Sequence, residues 1–322
     1  MSSNSERAYR NDLAGFVRRL ADAKGIDKPE LSADDPWGRL NQQLARIDHR
    51  AFTDENLAFV FGQMVADGAA TASRARMLSA IRGFCQWMVR SGRLELDPTL
   101  GFETPQPDKK LPVALTDDQL AAVVRAAARP RPGLRSHWAL RDVAMIGVLA
   151  GCGIRSGELT ELRIKDIQRA EPHRIRVLGK GAKERIVPLS PEVLRAVDHY
   201  LAGRSDRTGA AVGSDSPVFV RPDGEPLNNR GLQRLVANWL AAAGVAAPPG
   251  EKAHLFRHTY GIGQVDRGTS LPELQLLMGH ENIATTGTYL RVAAEGLHHT
   301  ARATAVNSLV DTAFGAESPA GG

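Results

Sequence analysis

Cysteine is nearly missing from this chain, with two in 322 residues, Cys85 and Cys152. Cys85 falls on the apolar stripe of a predicted helix, and Cys152 lies between two glycines. Neither suits a disulfide framework or a CxxC metal site, so a reducing compartment is the expectation. Long hydrophobic runs are missing too. The longest, AMIGVLAGCGI at 144–154, carries no charge but is too short to cross a bilayer. The opening stretch MSSNSERAYRNDL is polar and has none of the apolar core of a secretion signal. These absences predict a soluble, cytoplasmic protein with no membrane partner. What is present is a mild positive excess, +5, with a sequence pI near 9.4 and abundant arginine, whose planar fork grips phosphate better than lysine does. With 43% hydrophobic residues, the chain can build two ordinary domain cores.

The periodicity predicts a mainly α protein with a small β-hairpin. Residues 5–24 place Tyr9, Leu13, Phe16, Val17 and Leu20 at helical spacing. A short helix is expected after Pro36, and another runs through TDENLAFVFGQMVADG from a Thr53 N-cap. In TASRARMLSAIRGFCQWMVRSG, Met77, Leu78, Ile81, Phe84, Cys85, Met88 and Val89 form an apolar stripe, with Gly92 as the stop. Arg82, Gln86 and Arg90 share the other face, which is either a solvated surface or a contact for a DNA backbone. ETPQPDKKLPV at 103–113 has three prolines and no periodicity, so it reads as a linker. The domain boundary is placed there, giving a helical domain over 1–105 and a second domain over 106–322.

The second domain opens on Thr116 with Gln119 three residues on, a capping-box pattern. A buried helix through 137–150 leads into GCGIRSGEL, whose glycines predict a close-packed turn with Arg155 at a helix entrance. RIRVLGKGAKERIVPLS alternates apolar and polar residues on both sides of GKGAK, predicting a hairpin whose turn carries Lys180 and Lys183. Helices are expected again at 228–244, 254–267, 271–278 and around Tyr289, with a last amphipathic one through 297–313.

HLFRH at 254–258 poses a choice between metal and phosphate. Histidines at i and i+4 can share a zinc ion, but the general base of the HExxH pattern is replaced by Leu255, and Arg257 sets a permanent cation beside the site. No ligand cluster follows, so the expectation is no metal. His254 and Arg257 are three apart and project together from one helix side, as a phosphate site requires. Arg155, Lys180 and Lys183 are further cationic candidates. His280 follows a glycine turn, and Tyr289 comes nine residues later. A phenol is a poor nucleophile near neutral pH, but beside several cations it can attack a phosphodiester and stay attached.

In this order, Arg155 in GIRSGEL, Lys180 in GKGAKERIVPL, His254 and Arg257 in HLFRH, and His280 and Tyr289 in MGH…TTGTY resemble the tyrosine recombinase (phage integrase) family. The resemblance implies a two-domain C-shaped DNA clamp, with a helical core-binding domain and an α+β catalytic domain. It implies that Tyr289 forms a 3′-phosphotyrosine link and releases a 5′-hydroxyl, and that Lys180 protonates the leaving oxygen. Arg155 and Arg257 would clamp the nonbridging oxygens, His280 would help hold the phosphate, and His254 would accept a proton or hydrogen-bond. Glu158 matches the supporting acidic position, though it also reads as a first-turn carboxylate. His258 is assigned to packing or buttressing. Neither metal nor ATP nor any other cofactor is implied. The expected partners are double-stranded recombination sites and further copies of the chain, docked by the last helix into a tetramer. The helix opening at Asn228, with Asn229, Arg230, Gln233 and Arg234, is a candidate for major-groove reading or a plain capped surface helix. Rival readings are a type IB topoisomerase-like or telomere-resolving enzyme, and a DNA-binding regulator that no longer cuts. Gly261, Gly263 and Gly287 depart from the family pattern, which predicts a loosely held tyrosine segment.

Overall fold

The computed structural model describes residues 3–23, 51–106, 111–130, 137–179, 183–205, 212–246, 250, 252–280 and 282–300. The chain divides into two compact units, Met1–Lys110 and Leu111–Gly322. The helix expected after Pro36 falls outside the described residues.

The first unit packs α1 (Ser3–Ala23), α2 (Asp54–Ala66) and α3 (Thr71–Arg90). Thr53 caps α2, its hydroxyl accepting from Asn56 N at 3.2 Å. The apolar stripes read from the sequence meet in one core of Phe16, Val17, Leu20, Leu57, Val60, Met77, Ile81, Cys85 and Met88. Asp12 is buried in this unit and is held by a two-pronged bond from Arg76, 2.9 Å on each arm.

The second unit is built around α5 (His137–Cys152), whose Ala144, Met145, Ile146, Val148, Leu149 and Cys152 are all buried. Before it stands α4 (Asp117–Ala128), closed by the expected capping box between Thr116 and Gln119. After it come α6 (Ser156–Glu161), a 3₁₀ turn at Ile164–Asp166 and an antiparallel sheet of β1 (Ile167–Gln168), β2 (Arg174–Leu178) and β3 (Glu184–Pro188), in the order β1-β2-β3. In the β2–β3 register Ile175 faces Val187 and Val177 faces Arg185. This is the hairpin that alternation predicts, and β1 is an addition too short to leave a period-2 signal.

Helix α7 (Pro191–Ser205) was also absent from the sequence reading. Its signal is Pro191 at the first helical position, followed by Leu194, Val197 and Leu201 on one buried face. It packs closely on α5 because Gly147 and Gly151 are bare there; a Cβ at either would lie 3.3 Å from Val193. The helix α8 (Asn229–Ala242) buries Leu232, Val236, Trp239 and Leu240. Its Trp239 indole donates to the buried Asp142 at 2.9 Å, and Arg141 bonds both Asp142 and Val220 O. α9 (His254–Asp266), α10 (Leu271–Met278) and α11 (Ile283–Thr300) complete the unit. α11 is one helix through Tyr289 to Thr300, so it takes in the start of the segment expected as a separate final helix; the rest of that segment lies outside the described residues.

Candidate active site

The site begins at a glycine. Gly153 has φ +62°, and a Cβ there would stand 2.2 Å from the Tyr260 ring, so α9 packs directly on the backbone of this turn. The turn delivers Arg155 to the N-cap of α6, as GCGIRSGEL predicts. Arg155 Nη1 donates to Glu158 Oε1 at 2.9 Å and Nη2 to Gly279 O at 2.7 Å. Glu158 also accepts from the backbone of Arg155 at 2.6 Å. It is therefore both a first-turn cap and a partner of the arginine.

A residue missed in the sequence completes this carboxylate. Arg185 on β3 makes a two-pronged bond to Glu158, 2.7 Å on each arm, and its Nε donates to Leu277 O at 3.0 Å. Burial raises the cost of charge on Glu158, but the hydrogen bonds and charge of Arg185, joined by those of Arg155, outweigh it and hold its pKa below the ordinary value. The available signal was alternation. Arg185 and the buried Val187 share one face of β3, so the arginine points inward.

Arg257 projects from the first turn of α9 and is 3% exposed. Its Nη1 donates to Gly153 O at 2.6 Å and its Nη2 to Met278 O at 2.5 Å. Burial first, then the charge of Arg155, pulls its pKa down to about 10, which leaves it charged at neutral pH. A guanidinium carries more N–H donors than two carbonyls use. Arg155 and Arg257 thus tie the turn at 153–155 to the end of α10 at Met278 and Gly279, on which His280 follows.

His280 Nδ1 lies 2.9 Å from Thr286 Oγ1, and its ring stacks on Tyr289, 6.2 Å between centroids and 14° between planes. Tyr289 is 2% exposed. Its hydroxyl lies 3.0 Å from His258 Nδ1. His258, read as a packing or buttressing residue, stands directly against the tyrosine. Four residues on from His254 and one from Arg257, its ring turns toward α11 and touches the phenol oxygen. His254 opens α9, with its ring 6.0 Å from that of His258. Burial and surrounding cations hold both His258 and His280 at about 4, so both are neutral at pH 7. Burial raises the Tyr289 pKa, while Arg257 and Arg155 pull against it.

Gly261 lies directly beneath the tyrosine. A Cβ there would lie 2.9–3.0 Å from three atoms of the Tyr289 ring, so this glycine is what lets the tyrosine dock on α9. Gly287 has open space around it and makes no such fit.

The candidate DNA contacts divide. Lys180 lies outside the described residues. Lys183 is exposed beside β3, its carbonyl accepting from Gly179 N at 2.8 Å. Arg90, Asn229, Arg230 and Arg234 are exposed. Two others are committed elsewhere. Arg82 bonds Thr104 Oγ1 at 2.9 Å and Phe102 O at 2.7 Å, which pins the chain after α3. Gln233 Oε1 accepts from Ala253 N at 3.1 Å, which anchors the start of α9. Among the described residues no three His, Cys, Asp or Glu side chains gather as a metal site would require, and no helix is long and apolar enough to cross a membrane. Cys85 and Cys152 are buried free thiols, each pushed up to about 12 by burial.

Residues 114–295 match the model of the phage integrase family. The chain is 34% identical over 299 residues to tyrosine recombinase XerC of Rhodospirillum centenum, covering 92% of this chain and 80% of that one. It is 31% identical over 297 residues to tyrosine recombinase XerD of Pseudomonas aeruginosa, covering 91% and 88%. Its fold is similar to that of the XerH site-specific recombinase in a post-cleavage complex with a palindromic difH substrate, with a TM-score of 0.67, 17% identity and coverage of 91% and 96%. It is similar also to the Tn1549 transposon integrase in complex with a circular intermediate DNA, with a TM-score of 0.58, 18% identity and coverage of 85% and 94%. The fold is that of a two-domain tyrosine recombinase. The chain belongs to the phage integrase family, and it is a site-specific recombinase that works through a tyrosine.

Proposed function

We propose that Tyr289 is the nucleophile, attacking a DNA phosphodiester to give a 3′-phosphotyrosine and a free 5′-hydroxyl. The observation that carries this is the setting of its hydroxyl. It is held by one histidine, its ring is stacked on another, and it lies in the field of Arg155 and Arg257. Arg155 and Arg257 hold the nonbridging oxygens, where the pentavalent transition state gathers charge. Glu158 orients Arg155, His280 supports the phosphate and the tyrosine, and Lys180 on the β2–β3 connection protonates the leaving 5′-oxygen. His254, at the start of α9, accepts a proton or hydrogen-bonds the phosphate. The ester keeps the energy of the broken bond, so rejoining needs no ATP, and the arginines supply the charge that a metal ion would otherwise provide.

Residues 1–105 serve as the core-binding domain and 106–322 as the catalytic domain, both acting on duplex DNA in the cytoplasm. Arg90, Lys183, Asn229, Arg230 and Arg234 meet the DNA, and four protomers join two sites through their C-terminal segments. Covalent capture tests the chemistry. The protein is mixed with a nicked duplex library that cannot religate, denatured in SDS with EDTA present, and the attached DNA is sequenced. Adducts that form with wild type and vanish in Tyr289→Phe support the reading. DNA binding with no adduct under any condition would favour a regulator that no longer cuts.

A further inference from the structure

We propose that His258 is a further catalytic residue, which takes the proton of the Tyr289 hydroxyl as the tyrosine attacks. The proposal rests on Tyr289 being the nucleophile. Its geometric basis is the 3.0 Å separation between His258 Nδ1 and the phenol oxygen, with the rings 5.8 Å apart and tilted by 55°. A group that accepts a proton in the transition state must stand within hydrogen-bond reach of it, and His258 does so before any DNA arrives.

Two features of the surroundings suit the role. The groups facing His258 are His254 and Arg257 on its own helix, Tyr289 on α11, and His280 after α10. Burial, then His254 and Arg257, hold the ring neutral, and the tautomer protonated on Nε2 turns the Nδ1 lone pair toward the phenol. Gly261, one helical turn on from Arg257, admits the Tyr289 ring edge-on to α9 and fixes the approach of the hydroxyl. An incoming phosphate brings negative charge among Arg155 and Arg257. It offsets the field that disfavours an imidazolium, so the base gains strength when its substrate is bound.

The O–H bond of Tyr289 breaks and its proton moves to Nδ1 while the phenol oxygen forms a bond to phosphorus. The bond from phosphorus to the 5′-oxygen breaks, its electron pair leaves with that oxygen, and the acid on the hairpin supplies the oxygen's proton. Rejoining reverses each move. The 5′-hydroxyl attacks, the tyrosine–phosphorus bond breaks, and the imidazolium returns its proton to the phenolate.

The test compares single-turnover cleavage of two non-religating duplexes, one normal and one with sulfur as the bridging 5′ atom. A thiolate leaves without needing a proton, so sulfur relieves a lost acid but not a lost base. His258→Ala should cleave the normal duplex about 100-fold more slowly at neutral pH, with DNA affinity within a few-fold of wild type. The sulfur duplex should leave that deficit in place while restoring Lys180→Ala. The deficit should shrink as pH rises toward the ionisation of the phenol. His258→Asn keeps a hydrogen-bonding group near the Nδ1 position but is no base, so it should stay slow; if His258→Ala misfolds, this variant decides. A wild-type rate in either variant overturns the proposal, and so does rescue of His258→Ala by sulfur. Absence of any adduct from wild type would instead overturn the assignment of Tyr289 itself.

Discussion

The two halves of the site are held in different ways. On one side Arg155, Arg185 and Arg257 engage a carboxylate and four backbone carbonyls or their neighbours through bonds spanning β3, α6, α9 and the end of α10. On the other side Tyr289 has one hydrogen bond, one stacked ring and a close fit against a bare glycine. The cations are cross-braced and stay fixed whatever a single bond does. Tyr289, the proposed nucleophile, is positioned by shape, so a single methyl group can move it. A phosphate clamp must be rigid before substrate arrives. A nucleophile that forms and breaks a covalent bond each cycle has reason to be less tightly tied.

Five substitutions probe this contrast. Arg257→Met should have the largest effect. Cleavage should fall by roughly 10²–10³-fold, and two buried carbonyls, Gly153 O and Met278 O, lose their donor. The denaturation midpoint should drop with a cost of about 1–3 kcal/mol per orphaned group. Gly261→Ala comes next and should separate activity from stability. The methyl meets the Tyr289 ring, so cleavage should fall by about 10–100-fold. Thermal stability should fall little, because alanine improves an interior helical position by about 1 kcal/mol. A normal cleavage rate in this variant would show that shape does not position the tyrosine.

The carboxylate that braces the arginines gives a pH signature. Glu158 has a lowered folded pKa, so its stabilising contribution is present above the ordinary carboxylate value and is lost as pH falls through the folded value. Wild type should therefore lose stability below about pH 4.5, and in Glu158→Gln that part of the acid loss should be missing. His258 and His280, lowered from 6.5 to about 4, act in a higher window. The unfolded chain takes up these protons first, so stability should decline as pH falls from 6.5 toward 4, and less steeply in His258→Asn. Acid titrations followed by circular dichroism check both windows. The smallest effect belongs to the exposed face of α8. Arg234→Ala should weaken DNA binding a few-fold and reduce the salt slope by about one, leaving the cleavage step of bound complexes unchanged.

The site was legible in the sequence where its logic is local. The spacing of His254 and Arg257 on one helix, the glycines around Arg155, the capping box at Thr116 and the GKGAK hairpin each depend on neighbours a few residues away. The structure brings Arg155, Glu158, Arg257, His280 and Tyr289 into one cluster. What was illegible is set by distance along the chain. Arg185 meets Leu277 O across 92 residues, and alternation reveals only that it points inward. His258 was read as packing or buttressing, without its partner, because helical spacing gives its azimuth on α9 but not what α11 lays against it. Gly261 looked like a weak point in a helix, since helix propensity prices only the helix's own backbone. Arg82 and Gln233 looked like free polar groups on helix surfaces, and each is occupied by chain that passes over it.

The central claim is that Tyr289 becomes the DNA-linked residue. The most direct measurement is to trap the covalent complex, digest it with nuclease and trypsin, and find by mass spectrometry the peptide that bears the residual nucleotide. Tryptic cleavage after Arg267 and Arg291 isolates residues 268–291, in which Tyr289 is the sole tyrosine. The expected result is a phosphonucleotide on that peptide, placed on Tyr289 by fragmentation. A nucleotide on any other residue, or an adduct that persists in Tyr289→Phe, would contradict it.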